Sequence, residues 1–190
     1  MEHDACGVGL VASTEGKKSR KVVEYGIQAL KAVWHRGAVD ADGKTGDGAG
    51  IHVEISKEFF KEKIEVTGHT YDNSEICIGM IFLPRNDYEA QENCRTLVEK
   101  ELTQNNFSIY GWRQVPVNTK VLGEKAEQTR PEITQVLFRY NDQKLSGKAL
   151  EIKLYETRRK IENNVRQNHL DNFYICSFSS KSIIYKGMFL

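Results

Sequence analysis

Cys6 is the first side chain in the sequence that could do covalent chemistry. It stands in a small apolar run, Cys6-Gly-Val-Gly-Leu-Val-Ala12. One reading makes it a buried hydrophobe on a first strand, since free cysteine is among the most buried residue types. The other makes it a nucleophile. A thiol with an ordinary pKa of about 8.5 is only slightly ionised at neutral pH and needs a base. If residues 1–5 were removed, Cys6 would carry a free α-amino group with a pKa of about 7.7–8.0, suited to that task. One residue would then supply both nucleophile and base. An acylated nitrogen cannot take up a proton, so the expectation is that residues 1–5 (Met-Glu-His-Asp-Ala) are a propeptide-like segment whose loss activates the chain.

Two further clusters follow. Trp34-His35-Arg36-Gly37 reads as a helix end, with basic side chains near the last carbonyls and a left-handed glycine. It reads equally as an arginine presenting a planar, charged fork to a substrate carboxylate. Asp40-Ala-Asp-Gly-Lys-Thr-Gly-Asp-Gly-Ala-Gly50 looks like a calcium loop. Counted from Asp40, however, the twelfth position is Ile51, where a bidentate glutamate is required. A P-loop is rejected too, because no Gly-Lys-Ser/Thr closes the glycine run that ends at Gly50. What remains is a tight loop whose backbone can approach a neighbouring site closely.

The 190 residues suit one domain, and 27 Lys+Arg against 26 Asp+Glu leave a net charge of +1. That balance gives no general pull toward nucleic acid or anionic lipid. No run approaches the roughly 18 apolar residues of a membrane helix, and the N-terminus lacks the basic region of a signal peptide. The other cysteines, Cys77, Cys94 and Cys176, form no CxxC pair and no metal-ligand constellation. They read as core residues, and free thiols point to a reducing cytoplasm.

The elements that must position these residues are mixed. After the first strand, Val23, Ile27, Leu30 and Trp34 share a helix face, with Ser19 as N-cap and Gly37 as the stop. Strands are predicted at 51–55, 76–83, 108–115 and 132–140. Helices are predicted at 56–63, 87–105 and 146–168. Residues 173–178 and 183–189 are read as a hairpin turning across Ser179-Ser180-Lys181. This is a layered α+β pattern, too irregular for repeated βαβ units.

Taken together, Cys6-Gly-Val-Gly, the stretch Ala32-Val-Trp-His-Arg-Gly-Ala-Val-Asp-Ala-Asp-Gly-Lys-Thr-Gly-Asp-Gly-Ala-Gly-Ile51, Tyr110-Gly-Trp-Arg-Gln-Val-Pro116, Phe173-Tyr-Ile-Cys-Ser-Phe-Ser179 and Ile184-Tyr-Lys-Gly-Met188 resemble the class II glutamine amidotransferase domain of glutamate synthase large subunits. The resemblance covers residues 6–190. It implies an α+β N-terminal-nucleophile fold, two stacked sheets between helical layers (αββα), expected to be incomplete at the C-terminus. Cys6 matches the family's nucleophile. Arg36 matches its arginine beside the nucleophile, a substrate-binding position, and Gly37, Asp47 and Gly48 fall on the site-adjacent loop. The implied reaction is hydrolysis of L-glutamine to glutamate and ammonia through a cysteinyl thioester, the ammonia being combined with 2-oxoglutarate elsewhere in the enzyme.

The resemblance implies no metal or cofactor in this chain; FMN and an iron–sulfur cluster belong to the full-length family. It implies as partners the remainder of the large subunit and a small reductase subunit, with no nucleic acid and no membrane. The family's Asn-Gly oxyanion pair and its Arg-Phe/Tyr-Ser-Thr segment occur nowhere in the sequence. They are expected beyond Leu190, with this chain inactive alone. The alternative is a non-catalytic scaffold or interaction module, which the retained residues 1–5 and the missing half-site favour.

Overall fold

The structure is a computed structural model that describes residues 7–33, 39–142 and 144–188. In chain order its elements are α1 (Arg20–Ala32), β1 (Ala49–Glu54), α2 (Lys57–Val66), β2 (Ile76–Leu83), α3 (Tyr88–Gln104), β3 (Phe107–Gln114), a 3-10 turn (Thr119–Val121), α4 (Glu124–Thr129), β4 (Glu132–Tyr140), α5 (Gly147–Gln167), β5 (Tyr174–Ser179) and β6 (Ser182–Gly187). They fall into two compact units: Met1–Val53 with Val117–Arg130 and Ile184–Leu190, and Glu54–Pro116 with Pro131–Ile183.

The second unit is built on an antiparallel sheet of order β3-β4-β2-β5. The continuous apolar run 76–83 becomes its central strand β2, and all but one of that strand's residues are buried. Such a run has no polar face to turn to water, so both faces must be covered. One face carries Cys77, Ile81 and Leu83, which pack with Cys94, Val98 and Leu102 of α3 and Leu150, Leu154, Ile161 and Val165 of α5. These helix positions repeat at intervals of four and seven, as an amphipathic stripe requires. Asp87 caps α3 by accepting from the Ala90 amide. Ser56 does the same for α2 at the Phe59 amide.

Gly79 shows how tightly this face is packed. It lies opposite Val136 in β4 and Phe178 in β5. A Cβ there would lie 2.8 Å from side-chain carbons of both neighbours. The missing side chain lets Phe178 tilt against Phe138 at 4.9 Å between ring centroids, while Phe107 meets Phe138 edge-on at 5.3 Å.

The first unit contains α1, the loop through residues 39–48, the 3-10 turn, α4 and a two-stranded sheet of β1 and β6. Ser19 caps α1 by accepting from the Lys21 amide. Gly26, in mid-helix, faces Ile51 of β1, with the Ile51 methyl 3.5 Å from where a Cβ would stand. Along β1 the residues alternate between half-buried and exposed, as expected of a strand with one covered face.

Three expectations need correction. Residues 7–12 form no strand, and Val8 and Leu10 are exposed; a short run with two glycines has little strand tendency without a paired edge. α1 ends at Ala32 with Val33 as its C-cap, so Gly37 does not stop it; Trp34 and Gly37 lie outside the described residues. The strands at 174–179 and 182–187 exist but form no hairpin: β5 pairs with β2 and β6 with β1. A two-residue hairpin loop needs positive φ, and neither Ser180 nor Lys181 has it. Instead, Ser180 donates its amide and its hydroxyl to Glu151 Oε1, at 2.8 and 2.9 Å, and the same hydroxyl lies 2.9 Å from Glu75 Oε1.

The glycine gap yields a stability test. Substituting Gly79→Ala is expected to lower the unfolding free energy by about 1–3 kcal/mol through overpacking. Denaturant titration checks this, and an unchanged midpoint would contradict the packing described.

Candidate active site

Of the five sequence-predicted site residues, Cys6, Arg36 and Gly37 lie outside the described residues, as do residues 1–5. Asp47 and Gly48 are described. The nearest described neighbours of the other three make two separate contacts. Gly7, next to Cys6, packs on Val33, whose Cβ lies 3.3 Å from where a Gly7 Cβ would be. Val33 precedes the Trp34–Arg36 segment, and Val39 follows it. Val39 forms an antiparallel bridge with Gly46, one residue before Asp47.

Between Val39 and Gly46 the chain makes a tight turn. The Asp40 amide donates to the Thr45 carbonyl, and the Gly43 amide to the Asp40 carbonyl, both at 2.9 Å. Asp42 organises it. Its Oδ1 accepts from the amides of Lys44 at 2.9 Å and Thr45 at 2.7 Å, and its Oδ2 from the Thr45 hydroxyl at 2.5 Å. Thr45 is buried, with 4% exposure. Short aspartate side chains fold back on amides two and three residues ahead in this way.

Thr45 also finishes α4, far away in sequence. That helix begins at Gly123, which offers no capping side chain. The Thr45 hydroxyl, itself held by Asp42, accepts from the Ala126 amide at 3.4 Å. First-turn amides have no partner inside their own helix, and here a distant loop supplies an acceptor. Lys125 returns an ion pair to Asp40 at 2.6 Å. A Cβ at Gly123 would stand 2.1 Å from Asp42 Oδ2 and 2.2 Å from Thr45 Oγ1, so only glycine permits this approach.

The electrostatics follow. The Thr45 hydroxyl, then the amides of Thr45 and Lys44, hold the Asp42 carboxyl down at about 2. The bond and charge of Lys125 lower Asp40, and Asp40 in turn raises Lys125.

The segment 117–130 was missed by sequence reasoning, which found no apolar period there. Its signals were chemical: Glu124 and Glu127 in the first turn and Arg130 immediately before Pro131, a position that disfavours helix.

Beyond the bridge, only Asp47 and Gly48 separate Gly46 from β1. Gly48 has φ +121°, a left-handed value that favours glycine, and a Cβ there would lie 3.2 Å from the Gly187 carbonyl oxygen. The structure also excludes a P-loop. Gly43-Lys44-Thr45 precedes the glycine run, but its threonine hydroxyl is held by Asp42 rather than presented to a ligand.

The remaining cysteines are buried thiols that form no disulfide among the described residues. Burial pushes Cys77 far up and Cys94 to about 11. Neither is a thiolate at neutral pH, as nucleophilic attack requires. The described residues contain no group of three or more His, Cys, Asp or Glu able to hold a metal ion, and these dispersed core thiols do not fit a cluster's ligand set.

The motif 110–116 serves the second unit. Tyr110 Oη lies 3.0 Å from Ser74 Oγ and donates to Asp72 Oδ1 at 3.1 Å. Gly111 leaves room for Thr67, whose Cγ2 would be 2.9 Å from a Cβ there. Trp112 Nε1 donates to Glu99 at 2.7 Å, and Arg113 to Gln135 at 2.8 Å. An open cleft of about 500 Å³ beside Tyr110 is lined by His69, Asp72, Phe107 and Arg139. Arg139 already pairs with Asp72 at 3.3 Å.

A family model for class-II glutamine amidotransferases matches residues 6–190. Among curated proteins, the chain is 56% identical over its full length to the large chain of an NADPH glutamate synthase from Azospirillum brasilense. It is 37% identical over 98% of its length to a ferredoxin-dependent glutamate synthase of Synechocystis and 35% identical over 98% to the chloroplastic ferredoxin-dependent glutamate synthase of Spinacia oleracea. The chain spans only 12% of the length of each of these relatives.

The carboxylate at the centre of the turn gives a pH test. A carboxyl lowered by folding contributes stability that is complete above its unfolded value and lost as pH falls through its folded one. For Asp42 that window runs from the ordinary 3.8 down to about 2. A carboxyl titration followed by NMR is expected to place Asp42 near 2, with the α4 amides losing protection over the same range. Titration near 3.8 would contradict the cap.

Proposed function

The chain belongs to the class-II glutamine amidotransferases, and on that premise we propose that it hydrolyses L-glutamine to glutamate and ammonia, with Cys6 as nucleophile. One observation carries the reading: the family match begins at Cys6 itself, leaving residues 1–5 outside it. Removal of that segment gives Cys6 a free α-amino group, the base its thiol needs. The high pKa values of Cys77 and Cys94 support the assignment by leaving those thiols unreactive.

The proposed chemistry runs in two halves. The α-amine takes the thiol proton, and the thiolate attacks the side-chain amide carbon, forming a C–S bond. The α-ammonium protonates the leaving nitrogen as the C–N bond breaks, releasing ammonia and leaving a glutamyl thioester. Water, activated by the same amine, then adds to the thioester, and cleavage of the C–S bond returns glutamate and the thiol. Arg36 holds the substrate through its charged fork, and Gly37, Asp47 and Gly48 shape the adjoining backbone. The oxyanion that forms twice needs preorganised donors, each worth about 10²–10³ in rate. The family's Asn-Gly pair for that purpose does not occur in this sequence.

The same reading extends to the longer protein. The ammonia is consumed with 2-oxoglutarate in the remainder of a glutamate synthase large subunit, where FMN and the iron–sulfur cluster reside, assisted by a small reductase subunit. The family's two-sheet, four-layer fold and a cytoplasmic location belong to the proposal. Among the described residues, no helix is long and apolar enough to cross a membrane.

The decisive variants are Cys6→Ala and Cys6→Ser in the full-length protein. Both are expected to lower glutamine hydrolysis by at least about 10³-fold, with reaction from added ammonia retained. Cys94→Ala is expected to keep hydrolysis. Loss of hydrolysis in Cys94→Ala alone, or its survival in Cys6→Ala, would overturn the assignment.

A further inference from the structure

We propose that Asp42 is a positioning residue for glutamine hydrolysis: it orders the turn 39–46 onto which the strap 117–130 is tied, and so fixes the backbone that follows one candidate substrate segment and precedes the other. The inference rests on the function proposed above and adds to it a residue and a contact outside the site residues named there.

The argument is one of chain paths. The Val39–Gly46 bridge pins two segments at once. Val39 stands three residues after Arg36, and Gly46 stands one residue before Asp47. From Gly46 the chain has only Asp47 and Gly48 before β1, and Gly48 is confined by its φ of +121° and the nearby Gly187 carbonyl. Two residues between fixed ends have little freedom, so their course is set by where Gly46 is held.

Asp42 holds it. Its carboxylate closes the turn through Lys44 and Thr45 and lies against Gly123 at the start of α4. Thr45, immediately before Gly46, is buried under the same helix end and meets the Ala126 amide. Gly123 is the only residue type that leaves room for this contact. The outer ion pair of Lys125 with Asp40 ties the strap to the turn a second time. Two stretches remote in sequence therefore depend on one carboxylate.

Two substitutions approach the contact from opposite sides. Asp42→Ala removes the acceptors, and Gly123→Ala drives a methyl into them. In the full chain, both are expected to speed amide exchange in 46–50 and 124–129 while leaving the β2–β4 ladder protected. Both are expected to lower kcat/KM for glutamine by about 10–100-fold, chiefly through KM, with alkylation of Cys6 by iodoacetamide unchanged. Should Gly123→Ala disturb the β2–β4 ladder, Thr45→Val, which deletes one hydroxyl, carries the same test. Faster exchange with unchanged kcat/KM would overturn the inference by showing a purely structural strap, and unchanged exchange would overturn the contact itself. A wild-type full-length protein without glutaminase activity would remove the proposed function, and the inference with it, even where exchange responds as expected.

Discussion

The Asp42 carboxylate is the interaction on which the first unit depends. Three donors reach it: the amides of Lys44 and Thr45 and the hydroxyl of Thr45, which in turn accepts from the Ala126 amide of α4. Without a partner of that kind, the turn would leave amides unpaired, and six-residue α4 would begin on a bare glycine. Helices this short do not persist by propensity alone. The loop and the helix make each other possible, and the loop's stability derives from charge and hydrogen bonding rather than from apolar burial.

The second unit is held differently. Its sheet and two long helices enclose a dry core of aliphatic and aromatic side chains, with a glycine on β2 setting the spacing between Val136 and Phe178. The same burial that stabilises the unit silences its chemistry, because a thiol surrounded by hydrocarbon resists ionisation. Cys77 and Cys94 are packing groups for that reason. The chain thus separates a rigid, chemically inert body from a polar, hydrogen-bonded loop region that carries the residues suited to substrate contact.

Legibility divided along the same line. Elements whose burial imposes a period were read almost to the residue: β2 at 76–83 and β4 at 132–140 match their predicted spans, and α3 and α5 begin and end beside the expected caps. The α+β class followed from them. What escaped was decided by partners distant in sequence. Residues 7–12 are largely apolar, but among the described residues no strand pairs with them. Ser180 and Lys181 look like a hairpin turn, yet Glu75 and Glu151 hold the serine while the next strand joins another sheet. The segment 117–130 lacks an apolar stripe because its contact is polar and made through Gly123. At the candidate site, the glycine loop was recognised as a place of close backbone approach, and Gly48 has that geometry. Asp42 reads in sequence only as a calcium ligand, because the helix end it supports through Thr45 lies 81 residues beyond that threonine.

The central claim is that Cys6, freed of residues 1–5, forms the covalent intermediate. The most direct measurement is peptide mapping by mass spectrometry of the full-length protein, quenched in acid during glutamine turnover. The account requires a mature chain that begins at Cys6 and carries the glutamyl adduct on that residue. An adduct on Cys77, Cys94 or Cys176, or full turnover by a chain that still begins at Met1, would contradict it.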